Sequence, residues 1–236
     1  MSTPTTRVAF HTMGCKTNFS ETSTISREMM AYGLQQVSFR DTADVYVLNS
    51  CSVTENADKE ARKLIRQARR RNPDATVAVI GCYAQLQPDE IAAIPGVELV
   101  VGAAEKFNLF AHLSSLKANG KATVIKSPIE TVQSFQPSFS AAERTRTYLK
   151  IQDGCDYNCS FCTIPLARGR SRSDNIANTV NIAQQIAATE AREIVLTGVN
   201  IGDYGASGDE NLFQLIQALD NVDGIEIGRA SCRERV

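Results

Sequence analysis

Short apolar runs alternate along the chain with stretches of helical period. Arg7–His11, Val45–Asn49, Thr76–Ile80 and Leu99–Val101 read as strands. Between and after them, Glu21–Tyr32, about Ala57–Asn72 and Lys106–Lys117 read as helices. Pro88 opens a further short helix, because a proline at the first helical position gives up no hydrogen bond. Alternating β and α segments with short apolar strands predict a parallel sheet covered on both faces, an α/β fold.

From Gly120 to Glu143 the pattern lapses into Pro128, Pro137 and several Ser and Thr, with one strand at Ala122–Lys126. It resumes with a strand at Thr147–Gln152, a helix at Asn175–Thr189, a strand at Glu193–Thr197 and a helix over about Asn211–Asn221. These are the opening two β/α units of a second domain. The expected division is residues 1–118, a linker at 119–146 and an incomplete domain at 147–225. There is no internal repeat and no low-complexity segment.

A chain of 236 residues, 43% hydrophobic, suffices for one large or two smaller packed domains. Its net charge of −1 means that a nucleic-acid partner would need a local basic surface. One helix offers such a surface. Lys59, Arg62, Lys63, Arg66, Arg69 and Arg70 recur at steps of three and four, opposite Ala61, Leu64, Ile65 and Ala68. No acidic residue stands within Lys63–Arg71. The face could track phosphates or be an ordinary solvated exterior. The N-terminus shows no export or organelle signal, and no run of 18 apolar residues occurs. The expected compartment is the cytosol, where disulfides are rare.

That last point makes the seven cysteines informative. Cys15, Cys51 and Cys82 lie far apart in sequence, yet each comes just after a predicted strand. Ligands of an open parallel sheet gather at the carboxyl ends of its strands, so the three can converge. The bland alternative is small buried thiols. Cys155, Cys159 and Cys162 form a C-x-x-x-C-x-x-C loop after the strand ending at Gln152. Structural zinc needs a closed shell of four ligands, and no fourth cysteine or histidine stands nearby; the histidines are His11 and His112. Iron–sulfur clusters are held by thiolates, and three thiolates on a four-iron cluster leave one iron open for chemistry.

The loop, with Phe161 before its last cysteine, resembles the signature of the radical S-adenosylmethionine (SAM) superfamily. A second three-cysteine domain ahead of it is similar to the methylthiotransferase family. Gly14–Asn18, Asn49–Thr54, Gly81–Gln85, Tyr148–Cys155 and Ile164–Arg170 carry the match, which extends from residue 7 to about 225. Gly-Cys-Lys-x-Asn at 14–18, Val53-Thr54-x-x-Ala57-Asp58 and Leu196–Asn200 resemble the branch that acts on N6-threonylcarbamoyladenosine at position 37 of tRNA.

The resemblance implies a flavodoxin-like parallel-sheet domain followed by the start of a radical SAM (β/α) partial barrel. It implies two 4Fe-4S clusters, on Cys15/Cys51/Cys82 and on Cys155/Cys159/Cys162, the second of which binds SAM. With an electron from a donor such as a flavodoxin, SAM would yield the radical that takes hydrogen from carbon 2 of the adenine. The first cluster would hold the sulfur, and a second SAM would supply the methyl group. Phe161, Gly198 and Asn200 would lie near SAM, although Phe161 could equally pack beside the cluster and a turn glycine needs no ligand. Arg168 and Arg170 would contact SAM or tRNA phosphate, or form a solvated pair. Arg62, Lys63, Arg66, Arg69 and Arg70 are the candidates for tRNA bound through its anticodon loop. Alternatives at this point are an isopentenyladenosine substrate, an aspartate of a ribosomal protein, and a non-enzymatic two-cluster electron carrier. Carriers, however, generally give each cluster four cysteines.

Residues Glu226–Val236 are expected to be a non-native tail. One reading frame of a common sequencing adapter would encode these residues, the family pattern stops there, and the cationic run shows no strand pattern. Cys232 is the one cysteine without a role. The 236-residue chain is accordingly expected to fold its first domain, hold its second poorly and turn over little.

Overall fold

The computed structural model describes residues 5–51, 55–116, 120–140, 145–206 and 208–231, and for residues 55–58 the backbone only. Val53, Thr54 and Cys232 lie outside the described residues. The chain forms two compact units. One comprises the residues up to Gly14 with Ile25–Ile129, the other Cys15–Thr24 with Glu130 onward.

The first unit is built on β1 (Arg7–Thr12), the part of α1 (Lys16–Ala31) from Ile25 onward, β2 (Gln35–Val37), β3 (Val45–Ser50), α2 (Glu55–Arg71) and β4 (Thr76–Gly81). It continues through α3 (Cys82–Leu86), α4 (Pro88–Ala92), β5 (Leu99–Val101), α5 (Leu109–Ser114) and β6 (Thr123–Ile125). The sheet order is β2-β1-β3-β4-β5-β6, parallel throughout. Up to β5 this is the flavodoxin-like order, with its reversal between β1 and β3. Successive strand residues face opposite sides, and both sides are dry. Ala9, Tyr46, Leu48, Val77 and Val79 pack with Ala61, Ile65 and Ala68 of α2. Val8, Val47, Ala78 and Ile80 pack with Ile25 and Met29 of α1 and Leu109 of α5.

Three departures from expectation have physical causes. α1 begins at Lys16, not Glu21, because its first turns bury polar residues: Thr17, Asn18, Ser20 and Glu21. A buried polar face leaves no apolar period to read. β2, absent from the expectation, is a three-residue edge strand whose two glutamines are exposed. β6 takes the start of the expected linker into the sheet as its sixth strand.

The second unit contains β7 (Ser138–Phe139), β8 (Arg146–Lys150), β9 (Gln152–Asp153), α6 (Ile164–Arg168), β10 (Arg172–Ser173) and α7 (Ile176–Ala187). β11 (Glu193–Thr197), α8 (Leu212–Leu219) and β12 (Ile227–Ala230) complete it. Its sheet runs β12-β11-β8-β7, with β8, β11 and β12 parallel and β7 antiparallel to β8. Leu149, Ile151, Ile194 and Leu196 form the core with Ile182, Ala183 and Ile186 of α7 and Leu215 of α8. Both helices are capped by the residues that precede them. The Asn175 side chain accepts from Asn178 N, and Asn211 forms a capping box with Gln214. β12 corrects the expectation that the run after Glu226 has no strand character. Parallel pairing is made by the backbone, and the edge of β11 accepts residues 227–230 although all four are exposed. Among the described residues, no helix is long and apolar enough to cross a membrane.

Candidate metal centres

β1, β3 and β4 are adjacent and parallel, so their carboxyl ends share one edge of the sheet. Cys51 directly follows β3, and Cys82 directly follows β4. Cys15 follows β1 after Met13 and Gly14. β1 and β3 flank the strand-order reversal, the place where open α/β sheets bind their ligands. Cys51 and Cys82 are buried and Cys15 is half-buried; no described cysteine forms a disulfide. Gly81, ahead of Cys82, has φ of 98°. A Cβ there would meet Asn49 Oδ1 at 2.4 Å and Ser50 O at 2.7 Å, so the ends of β3 and β4 close together only because residue 81 has no side chain.

Cys155, Cys159 and Cys162 occupy the loop between β9 and α6. Cys155 and Cys162 are half-buried and Cys159 is exposed. The Cys155 amide donates to Gly169 O at 3.0 Å, and the Cys162 amide to Cys159 O at 3.1 Å. Burial pushes the Cys155 thiol pKa up; the negative potential of Asp203, Cys162 and Cys159 adds to this, against a hydrogen bond from the Tyr157 backbone. No three His, Cys, Asp or Glu side chains among the described residues are grouped so as to hold a single metal ion. Three thiols on one loop, exposed at Cys159 and with no fourth thiol beside them among the described residues, are the donor set, by residue type, of a cluster held from one side.

Two buried polar devices hold this loop. The first is Gln152, fully buried as the first residue of β9. Its Nε2 donates to Gly154 O at 2.8 Å, Ser171 Oγ at 3.0 Å and Asp153 O at 3.1 Å. Its Oε1 accepts from Asn200 N at 2.8 Å. The candidate Gly198 finds a packing reason here, since a Cβ on it would lie 2.8 Å from Gln152 O. The Asn200 side chain donates to Asp203 Oδ2 at 2.8 Å. Phe161 is 87% exposed, so it does not pack into the core beside the loop.

The second device corrects the expectation that Arg168 and Arg170 form a solvated pair. Arg170 is exposed, but Arg168 is buried. Arg168 Nη1 lies 2.8 Å from Asp153 Oδ1 and 3.1 Å from Glu21 Oε1. Its Nη2 donates to Glu21 Oε2 at 3.3 Å and to Asn18 Oδ1. Lys150 Nζ lies 2.9 Å from Glu21 Oε1 and 3.5 Å from Asp153 Oδ2, and Arg172 Nη2 reaches Asp153 Oδ2 at 3.2 Å. Burial alone would raise the Asp153 pKa, but Arg168, Lys150 and Arg172 outweigh it and hold the carboxyl well below the usual range. Sequence reasoning missed Asn18, Glu21, Lys150 and Asp153. Glu21 and Lys150 are 129 positions apart, and no local pattern announces such a pair.

On α2 the charged face is not without acidic partners, as its own segment suggested. Arg62 pairs with Glu90, and Arg69 lies 3.3 Å from Glu98 while donating to Ala75 O at 2.8 Å. Lys63, Arg66 and Arg70 are exposed, with no ion pair among the described residues.

Residues 7–102 match the uncharacterized protein family UPF0004. The chain is 42% identical over 234 residues to the threonylcarbamoyladenosine tRNA methylthiotransferase MtaB of Bacillus subtilis, covering 96% of this chain and 51% of that one. Against the protein of the same name from Aquifex aeolicus the identity is 39%, covering 95% and 55%. The tRNA-2-methylthio-N(6)-dimethylallyladenosine synthase of Roseobacter denitrificans is 32% identical, covering 91% and 51%. The chain thus spans about half the length of the curated relatives it matches. In fold it resembles the radical S-adenosylmethionine methyltransferase TsrM of Kitasatospora setae, at a TM-score of 0.59 and 14% identity, over 92% of this chain and 50% of that one.

Proposed function

We propose, since the chain belongs over the residues it spans to the radical SAM methylthiotransferase family, that its protein adds a methylthio group to carbon 2 of N6-threonylcarbamoyladenosine at position 37 of tRNA. The observation that carries the reading is the sorting of the six described cysteines into two sets of three, each just after strand ends and each without a fourth thiol among the described residues. Cys155, Cys159 and Cys162 would hold one 4Fe-4S cluster with SAM at its open iron, and Cys15, Cys51 and Cys82 the other. When bound, such a cluster supplies the one-electron chemistry that no side chain can. The chain's own residues orient and shield. Gln152 ties the backbone just ahead of the cysteine loop, at Gly154 O, to the segment after β11, at Asn200 N, and exposed Phe161 offers an aromatic face on the loop. The substrate branch is supported by the higher identity to the threonylcarbamoyladenosine enzymes, 42% against 32% for the dimethylallyladenosine synthase. We place the reaction in the cytosol, with a flavodoxin-like electron donor.

The test is nucleoside analysis of tRNA from a strain lacking the gene. The methylthio mass should disappear from threonylcarbamoyladenosine and persist on dimethylallyladenosine. Loss from the latter, or from a ribosomal-protein aspartate, would reassign the substrate. An electron carrier would fail to cleave SAM to 5′-deoxyadenosine under dithionite.

For tRNA binding the useful cations of α2 are those not already paired. Changing Lys63, Arg66 and Arg70 to Gln should weaken tRNA binding and lower the slope of log affinity against log salt by about 2, at roughly 0.7 to 0.9 per lost phosphate contact. A slope equal to that of the unaltered protein would return α2 to an ordinary solvated exterior.

A further inference from the structure

The charged group around Arg168 has no part in holding a cluster, yet two carboxylates and three cations are drawn together in the interior of the second unit. Withdrawing such ions from water is costly, and apolar residues of the same volume often serve stability as well. What charges add over an apolar core is direction. Arg168 grips the cysteine loop at both of its ends. It is itself the last residue of α6, beyond Cys162, and its guanidinium holds Asp153, two residues ahead of Cys155. The same guanidinium reaches Glu21 and Asn18 in the first turns of α1, which starts directly after Cys15. A separate set of contacts docks those turns on β7. Ser20 Oγ lies 3.0 Å from Ser138 Oγ, and Thr24 Oγ1 bonds both the amide and the carbonyl of Phe139, at 3.1 and 3.2 Å.

We propose that Arg168 is a positioning residue that fixes the start of α1, and with it Cys15, in register with the loop of Cys155, Cys159 and Cys162. The functional meaning of this register rests on the cluster assignment proposed above; the register itself does not. The planar fork is essential to the role. One nitrogen serves two carboxylates and the other serves Asn18 and Glu21, a pattern that the single ammonium of lysine cannot reproduce. Arg168→Lys therefore keeps the charge and removes the geometry.

The experiment is timed alkylation of the metal-free, reduced protein, with the rate at each cysteine read by mass spectrometry. Arg168→Lys should speed alkylation of Cys15, Cys155 and Cys162 about tenfold, the scale expected when charged hydrogen bonds that hold a local segment are lost. Cys51 and Cys82 should change less than about twofold on the same scale. If Arg168→Lys does not fold, the isosteric Glu21→Gln carries the same expectation. Unchanged rates at Cys15 and Cys155, or an equal rise at all five sites, would overturn the proposal. Iron content and SAM cleavage report on the cluster assignment independently. Full iron with unchanged alkylation sinks the positioning role alone; absent iron with the predicted alkylation pattern sinks the cluster assignment alone.

Discussion

Replacing Cys155, Cys159 and Cys162 together by alanine is expected to halve the iron of the anaerobically reconstituted protein and to abolish SAM cleavage. Replacing Cys15, Cys51 and Cys82 should also halve the iron, yet leave SAM cleavage detectable. The asymmetry follows from where each set stands. The 155–162 loop follows β9 and leads into α6, so its three cysteines stand within eight consecutive residues of one segment. It is therefore self-contained. The first set draws one cysteine from each of three segments beside β1, β3 and β4 and shares no backbone with that loop. Iron would be counted colorimetrically and 5′-deoxyadenosine by chromatography. Full iron in the second triple variant would mean that Cys15, Cys51 and Cys82 are core thiols and not a centre.

The second large effect is expected at Gly154, one residue ahead of the same loop. Its φ is 71°, and a Cβ there would come within 1.9 Å of Arg170 O. That oxygen is backbone and also accepts from Arg172 Nη1 at 2.9 Å, so it cannot swing aside as a side chain would. Gly154→Ala must displace the 169–172 segment, to which Cys155 is bonded through Gly169 O. We expect a loss of roughly 3 kcal/mol or more, combining about 1 to 2 kcal/mol of left-handed backbone strain with the clash, and loss of iron from the second set. Gly33 provides the control. Its φ is 90°, but nothing lies within 4 Å of its missing Cβ. Gly33→Ala should therefore cost only the backbone part, about 1 to 2 kcal/mol. Equal losses at the two positions in chemical denaturation would show that the clash at Gly154 is relieved without cost.

Elements with dry faces were the legible ones. Leu99–Val101 and Glu193–Thr197 are strands with the expected limits, since every residue in them is buried and each holds an unbroken apolar run, Leu99–Val101 and Ile194–Leu196. Asn175 and Asn211 were readable as helix starts because capping is a local rule. The cysteine spacing was legible for the same reason. What the sequence concealed is what depends on distant partners. The first turns of α1 look like loop because their buried face is polar, and Arg168 looks like a surface residue because Glu21 lies 147 positions away. On α2 the reading of a uniformly basic face failed at Arg62 and Arg69, whose acids, Glu90 and Glu98, come from later segments.

That the second unit recruits Cys15–Thr24 also bears on how the chain can be made. Glu21 is synthesised early, and its partner Arg168 follows 147 residues later. At about 5 to 20 residues per second, the start of α1 must wait on the order of ten seconds for the groups that neutralise it. Closing so long a loop makes this docking a late, non-local event. A chain expressed from Glu130 onward would carry Lys150 and Arg168 into its interior without Glu21, at a cost of roughly 3 to 5 kcal/mol for a buried pair that has lost one partner. Such a piece should collect in inclusion bodies, and a peptide of residues 15–24 supplied in trans should rescue its solubility. The second unit is thus an assembly whose smallest and earliest part sets when the rest can close.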